Sequence, residues 1–282
     1  MIIDVHTHVQ KQGFHLEWIV MPKDFRGQPK DQRKRWMRLY SLDEHFKAME
    51  HVDKAIVLGA PEEYTAEYVS RHPDKIIGFA WINPLENDAS RYARQCVEKL
   101  GLKGLKMYPI LMHFFPNDEK AYPVYEVAQE LKIPVMFHMG ASPRRAAHLK
   151  YTLPIHIMDV AKAFPDLTII IAHMAHPYIR DTVQVLRIEP NVYADISAMT
   201  MPLRAYSTLY QGLLEAMTWG VLDKILFGTD WPFQTFEEAT VTLRNINSFV
   251  ENTNLPRIPE HAIEKIIEGN AERALRKTRI LD

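Results

Sequence analysis

Short apolar runs recur along the chain, and after each comes a longer segment whose apolar positions return at helical spacing. Eight runs read as strands, at residues 2–5, 54–58, 76–82, 102–107, 134–138, 168–173, 192–197 and 224–228. The helical spacing predicts helices at 43–51, 62–71, 89–100, 124–131, 155–164, 178–186 and 203–219, and then at 236–250 and 259–267. Strands that alternate with helical crossovers must run parallel. Eight such units closing on themselves predict an α/β fold of the (β/α)8 TIM-barrel type, with residues 1–282 as a single domain. A doubly wound open sheet is the alternative, but no Gly-x-Gly-x-x-Gly or Gly-x4-Gly-Lys-Ser/Thr loop follows any strand.

Four of the runs end in residues that bind metals. Asp4-Val5-His6-Thr7-His8 closes the first, His138 the fifth, His173 the sixth and Gly228-Thr229-Asp230 the eighth. Residues two apart in a strand point the same way, so His6 and His8 offer two imidazoles to one ion. Neutral imidazole and carboxylate suit zinc and similar divalent ions. A barrel carries its active site at the C-terminal strand ends, where all of these residues fall. Fold and chemistry therefore point to the same place, and Asp4, one layer deeper, fits an orienting group for the ligands.

Composition excludes several other roles. With 282 residues, 47% of them hydrophobic, the chain builds one large core. A net charge of −1 gives no general reason to expect nucleic acid or an anionic membrane as partner. The one cysteine, Cys96, rules out an internal disulfide framework and reads as a buried, inert thiol in a helix. The expectation is a cytoplasmic protein, since neither a leader pattern nor an apolar run of about 18 residues is present. A small molecule is the expected partner, with self-association left open.

The same stretches carry a family resemblance. Asp4-Val5-His6-Thr7-His8, Gly101-Leu102-Lys103-Gly104-Leu105-Lys106, Phe137-His138-Met139-Gly140, Ala172-His173-Met174 and Phe227-Gly228-Thr229-Asp230-Trp231-Pro232 resemble the amidohydrolase superfamily, in its aminocarboxymuconate-semialdehyde decarboxylase-like branch. Phe164-Pro165-Asp166, Asn191-Val192-Tyr193-Ala194-Asp195 and Gly269-Asn270-Ala271 extend the likeness over nearly the whole chain. The resemblance implies that His6, His8, His138 and Asp230 hold one divalent ion, most often zinc, with manganese or iron as alternatives. It implies that His173 activates or orients a metal-bound water or contacts the substrate, with His176 as competitor for that role, and that Asp230 also shuttles a proton. Lys106 sits near the carboxylated lysine of binuclear members, but its neighbours look like the mononuclear branch, in which a basic residue here faces the substrate.

Other residues have a plain and a sharper reading. Lys23, Arg26, Lys30, Arg33, Lys34, Arg35 and Arg38 form a basic stretch in the long loop after the first strand. It reads first as a solvated lid helix or oligomer contact, and second as a device that draws in a carboxylated substrate. Arg144 and Arg145 suit bidentate carboxylate binding or a surface role. Tyr108, Phe114, Phe115 and Tyr151 lie in loops expected at the mouth. The reading adopted is a metal-dependent hydrolase acting on a small carbonyl-containing, carboxylated compound. A non-oxidative decarboxylase of an aromatic or unsaturated acid comes second, and a non-catalytic metal-binding barrel third.

Overall fold

A computed structural model describes residues 1–12, 38–142, 144–201 and 208–281. Eight parallel strands pair in chain order: β1 (Ile3–Thr7), β2 (Lys54–Leu58), β3 (Ile76–Trp81), β4 (Gly104–Met107), β5 (Val135–His138), β6 (Ile169–Ala172), β7 (Val192–Asp195) and β8 (Ile225–Leu226). The last strand returns to the first through Val5 N to Phe227 O at 3.1 Å, Asp230 N to His6 O at 2.8 Å and His8 N to Trp231 O at 2.9 Å. The sheet is thereby curled into the expected TIM barrel, with every apolar run in a strand.

Helices α1 (Leu42–Ala48), α2 (Glu62–Arg71), α3 (Ala89–Glu98), α4 (Tyr122–Glu130), α5 (Ile155–Ala163), α6 (Ile179–Ile188), α7 (Tyr210–Thr218), α8 (Phe236–Arg244), α9 (Glu260–Ile267) and α10 (Asn270–Leu275) surround it. Reciprocal capping boxes, Ser41 with Glu44 and Thr235 with Glu238, start α1 and α8. The single helix expected over 236–250 is two elements. Asn245 caps the Val241 carbonyl at 2.9 Å, and Ile246–Val250 continues as a 3-10 turn. Part of the helix expected over 203–219 lies outside the described residues, and α10 is an element the periodicity did not announce. None of the described helices is long and apolar enough to cross a membrane.

Alternation along the strands sorts side chains into two layers. Ile56, Leu58, Ile77, Phe79, Met136, Ile170 and Leu226 fill the interior with Ile3 and Val5, and α10 packs on them through Ala271, Ala274 and Leu275. Leu105, Met107, Val135, Phe137, Ile169, Ile171, Val192, Ala194, Ile225 and Phe227 face the helices. Each fully buried side chain of this kind contributes about 1.5–3 kcal/mol. Gly104 makes room for Phe79, whose ring atoms lie 2.3–2.6 Å from where a Cβ would stand. Cys96 is buried in the outer layer as expected, its thiol pushed up to about 11 by burial. The inward parity that carries Phe79 and Met136 carries Trp81 and His138 one step nearer the mouth, with Trp81 in register with Lys106.

Three strands end earlier than the apolar runs suggest. His173, Met174 and Ala175 take φ of 58°, 45° and 50°, Ala198 takes 58° and Asp230 takes 59°. No strand continues through left-handed residues, and non-glycine residues there cost of order 1–3 kcal/mol each. The left-handed turn after β6 is clasped by the loop after β5, where Ala141 N donates to His176 O at 2.6 Å. Gly140 permits that approach, with φ 80° and a Cβ position only 2.1 Å from His176 O.

Gly140→Ala is therefore expected to destabilise the protein by about 2 kcal/mol or more, because both backbone conformation and backbone contact oppose the methyl group. Gly101→Ala, at φ 69° with open space around it, meets only the conformational term. Thermal unfolding of the two variants checks this: equal melting temperatures would show that the clasp around Gly140 does not exist.

Candidate metal centre and active site

His6 and His8 project from the end of β1 with their Nε2 atoms 3.2 Å apart. Asp230 Oδ1 lies 3.0 Å from His8 Nε2 and 3.6 Å from His6 Nε2. One ligand atom from each of the three falls within a 4.8 Å group. The other ring nitrogens are already committed, His6 Nδ1 to Asp195 Oδ2 at 3.0 Å and His8 Nδ1 to the Leu58 carbonyl at 3.3 Å. Both partners only accept, so each ring donates from Nδ1; neutral His6 thereby presents a lone pair at Nε2, and His8 Nε2 faces Asp230 Oδ1. Two imidazole nitrogens and a carboxylate oxygen turned on one another form a donor set that a cation can join. Ligands on a tetrahedral ion at about 2.0–2.1 Å stand roughly 3.3 Å apart, the spacing found here. The donor set therefore fits one divalent ion.

Burial holds His6 neutral, at about 3, with Lys106 adding to the effect against the pull of Asp195 and Asp230. Burial alone would raise the Asp230 carboxyl, but the hydrogen bond from His8 and the nearby His6 and His173 hold it well below the usual range.

Behind His6 lies a second buried group, which sequence reading did not identify. Asp195 Oδ1 accepts from His173 N at 2.9 Å and Ser197 N at 3.0 Å, and the Ser197 hydroxyl donates to it. Ser197 Oγ is also 3.0 Å from His6 Nδ1 and 2.9 Å from His173 Nδ1. His173 Nδ1 donates to the Ser197 carbonyl at 2.9 Å. His6, His173 and Asp195 also form a tight group, but this one is explained by shared protons. The signal was available: Asp195 ends a strand run just as Asp230 does, and Ser197 follows at the same parity.

The strand bearing the histidines is fixed from both sides. Asp4 accepts from His6 N and Thr229 N, each at 3.1 Å, and from Thr229 Oγ1 at 2.7 Å. It thus holds backbone rather than an imidazole ring. Thr7 donates to Ile56 O at 2.8 Å and meets His45 Nε2 at 2.9 Å, while His45 Nδ1 meets Tyr68 Oη at 2.8 Å. His45 shows no role in the sequence, yet it pins the residue between His6 and His8.

The wall of the mouth is aromatic. Trp81 stacks with His8 at 6.4 Å and meets Tyr108 edge-on at 6.0 Å, and Tyr108 meets His138 at 4.1 Å. The Lys106 ammonium lies 5.9 Å over the Trp81 ring. Its Nζ is fully buried, with no hydrogen-bond partner among the described residues. Burial pulls it down to about 8, against Asp195 and Asp230, which raise it. Arg144 is half-buried beside Tyr108, whose hydroxyl meets Ser142 Oγ at 3.2 Å; Arg145 is exposed.

Not every expected residue comes to the centre. His138 donates from Nε2 to the Ala141 carbonyl at 3.3 Å and stands beside the ligand group, its ring 4.8 Å from that of His173. His176 lies in the clasped turn, where its carbonyl rather than its ring is used by Ala141. Phe114 is buried in the outer core. Phe115 and Tyr151 meet at 4.7 Å with their planes tilted, in a separate cluster with His113, His148 and His156. Of the basic stretch, residues 23–37 lie outside the described residues, and Arg38 pairs with Glu44.

Comparison with known proteins gives the family. A family model described as amidohydrolase matches residues 3–277. A gamma-resorcylate decarboxylase of a Polaromonas species is 24% identical over 269 residues, covering 77% of this chain and 75% of that protein. An uncharacterized TIM-barrel protein of Bordetella bronchiseptica superposes with a TM-score of 0.69 at 23% identity, over 98% of each chain. A dihydroxybenzoic acid decarboxylase of Polaromonas, solved with manganese and 2-nitroresorcinol, superposes at 0.66 with 20% identity, over 98% of this chain and 96% of that one.

The buried ammonium leads to a stability test. A lysine whose folded value of about 8 lies below its unfolded 10.5 costs stability at all pH below 8, and the cost is relieved as pH rises from 8 toward 10.5. Lys106→Met is thus expected to raise stability at pH 7 by on the order of 2–3 kcal/mol. The gap between variant and parent should close between pH 8 and 10.5. Denaturant unfolding at pH 7 and 10 checks both parts; a variant less stable than the parent at pH 7 would show that Lys106 has partners that repay its burial.

Proposed function

The chain belongs to the amidohydrolase family, and we propose that within it the protein is a metal-dependent, non-oxidative decarboxylase of a hydroxylated aromatic acid. One observation carries this reading: a fully buried lysine ammonium without a hydrogen-bond partner among the described residues, set among aromatic rings beside the His6, His8 and Asp230 group. A buried cation of this kind is a receptor for an anion, and the flat walls of Trp81 and Tyr108 suit a ring. The named decarboxylase relatives support it. Hydrolysis, the first expectation from the sequence, becomes the second reading, favoured by the open Nε2 acceptor of His173.

His6, His8 and Asp230 would hold the ion; His138 stands beside them, and would join as fourth ligand only by releasing the Ala141 carbonyl that its Nε2 now meets. Manganese, present in the Polaromonas structure, and zinc both accept this donor set. The bound ion supplies a Lewis acid that polarises a substrate oxygen. Lys106 holds the substrate carboxylate, Trp81 and Tyr108 hold the ring face, and Arg144 reaches a second polar substituent. As the carbon–carbon bond breaks, its electron pair stays on the ring carbon and carbon dioxide leaves; the proton that takes its place is drawn from solvent and passed to that carbon through His173 Nε2 or Asp230. His173 Nε2 and Asp230 are the proton-handling groups. Burial holds His173 below its usual range, against Asp230 and Asp195.

Two outcomes are expected. With a panel of dihydroxybenzoates and lactones, the manganese- or zinc-loaded protein should release carbon dioxide from a hydroxybenzoate; lactone cleavage with no carbon dioxide would reject decarboxylation in favour of hydrolysis. The His6→Ala/His8→Ala double variant should fold, since its core is built by other side chains, yet retain no metal by elemental analysis. Full metal content in that variant would sink the ligand assignment.

A further inference from the structure

The Ser197 hydroxyl stands at a crossing of protons that the reaction proposed above does not itself require. It is buried, donates to Asp195 Oδ1, and lies within 3.0 Å of His6 Nδ1 and 2.9 Å of His173 Nδ1. The two imidazoles it touches have different tasks on that reading: His6 has its Nε2 toward Asp230, and His173, bound through Nδ1, keeps Nε2 for proton handling. Their rings are 4.7 Å apart and tilted by 37°, so neither hydrogen-bonds the other directly.

The proton count is closed. The Asp195 carboxylate and the Ser197 carbonyl only accept, so the protons on these contacts belong to His6 Nδ1 and His173 Nδ1. The hydroxyl hydrogen goes to Asp195, which leaves the oxygen lone pairs for the two N–H groups. Each Nδ1–H is thereby shared between a primary acceptor and the same oxygen. If either ring turns, Ser197 Oγ loses a partner and its hold on the other ring changes.

We propose that Ser197, seated on Asp195, is a positioning residue that couples the orientation and tautomer of His6 to those of His173, so that ligand geometry and proton-handling geometry are set together. This rests on the reading of His6 as ligand and His173 as proton-handling group. An outer-sphere hydrogen bond of this kind typically tunes a metal ligand by 10–100-fold in affinity. Here one hydroxyl serves two rings.

The test uses the full chain, with histidine labelled at its ring nitrogens. In the metal-free protein, nitrogen NMR should show His6 and His173 both as Nδ1–H tautomers, each assigned by its alanine variant. Ser197→Ala removes only an oxygen and should perturb both resonances. A change at one ring alone, or at neither, overturns the coupling. Manganese titration then adds a cycle. Ser197→Ala should weaken manganese binding by about 10-fold or more in the parent. In a His173→Ala background its effect should differ by at least about threefold, as contacting residues show in double-mutant cycles. Additive effects would reduce Ser197 to a support of His6 and reject the proposal. Loss of the decarboxylase reading alone would leave these nitrogen spectra and this cycle unaffected.

Discussion

A (β/α)8 sheet must close on itself, and in this protein one buried carboxylate governs the closing seam. Asp4 on β1 takes three donors, the His6 amide and both the amide and hydroxyl of Thr229 beyond β8. Thr229 Oγ1 in turn accepts from Trp231 N at 3.0 Å. His6 and His8 stand on one side of that seam and Asp230 on the other. Barrel closure and assembly of the ligand group are consequently one event. Burial pushes the Asp4 carboxyl up to about 7, with its three hydrogen bonds opposing the rise, so the seam is an expensive arrangement that the surrounding core sustains.

Support continues outward through Thr7, His45 and Tyr68, and inward through Asp195 and Ser197. The two sets meet the same strand from opposite faces. Thr7 is held against the helical shell while its neighbours His6 and His8 face the interior. The left-handed residues His173 and Asp230 show the same logic in the backbone: their strands stop where their side chains must leave the pleat to reach the centre. Strain of that kind persists only where packing and hydrogen bonds over-determine it.

The fold was legible because strands buried on both faces leave continuous apolar runs, and eight of them alternated with helical periods. Boundaries were less so. The 224–228 run has two residues in β8, since Gly228 to Asp230 are needed for the turn, and nothing in the periodicity shows that. Among the site residues, His6, His8 and Asp230 were visible from parity and strand-end position. Asp195 and Ser197 had the same signal, but a carboxylate after an apolar run was weighed only where a neighbouring pattern drew attention to it. Asp4 fits an orienting group by strand parity, but the register of β1 shifts between Asp4 and Thr7, so its partners are backbone amides and Thr229, which alternation alone does not reveal. Phe114 and Phe115 are adjacent in sequence yet one is core and the other surface, a distinction that loop composition does not encode.

Lys106 has a further consequence, for recognition. An anion binding to an exposed lysine must strip water from the ammonium as it arrives. Here the ammonium is stripped of water when the chain folds, and its environment is assembled before any ligand is present. Recognition then starts from a receptor already organised, in the sense that electrostatic complementarity needs no reorganisation at the moment of encounter. On the proposed function, the same feature would confer selectivity against neutral molecules: a ring of the right shape but without a negative group would leave the lysine still unmatched, so charge would be discriminated before fit.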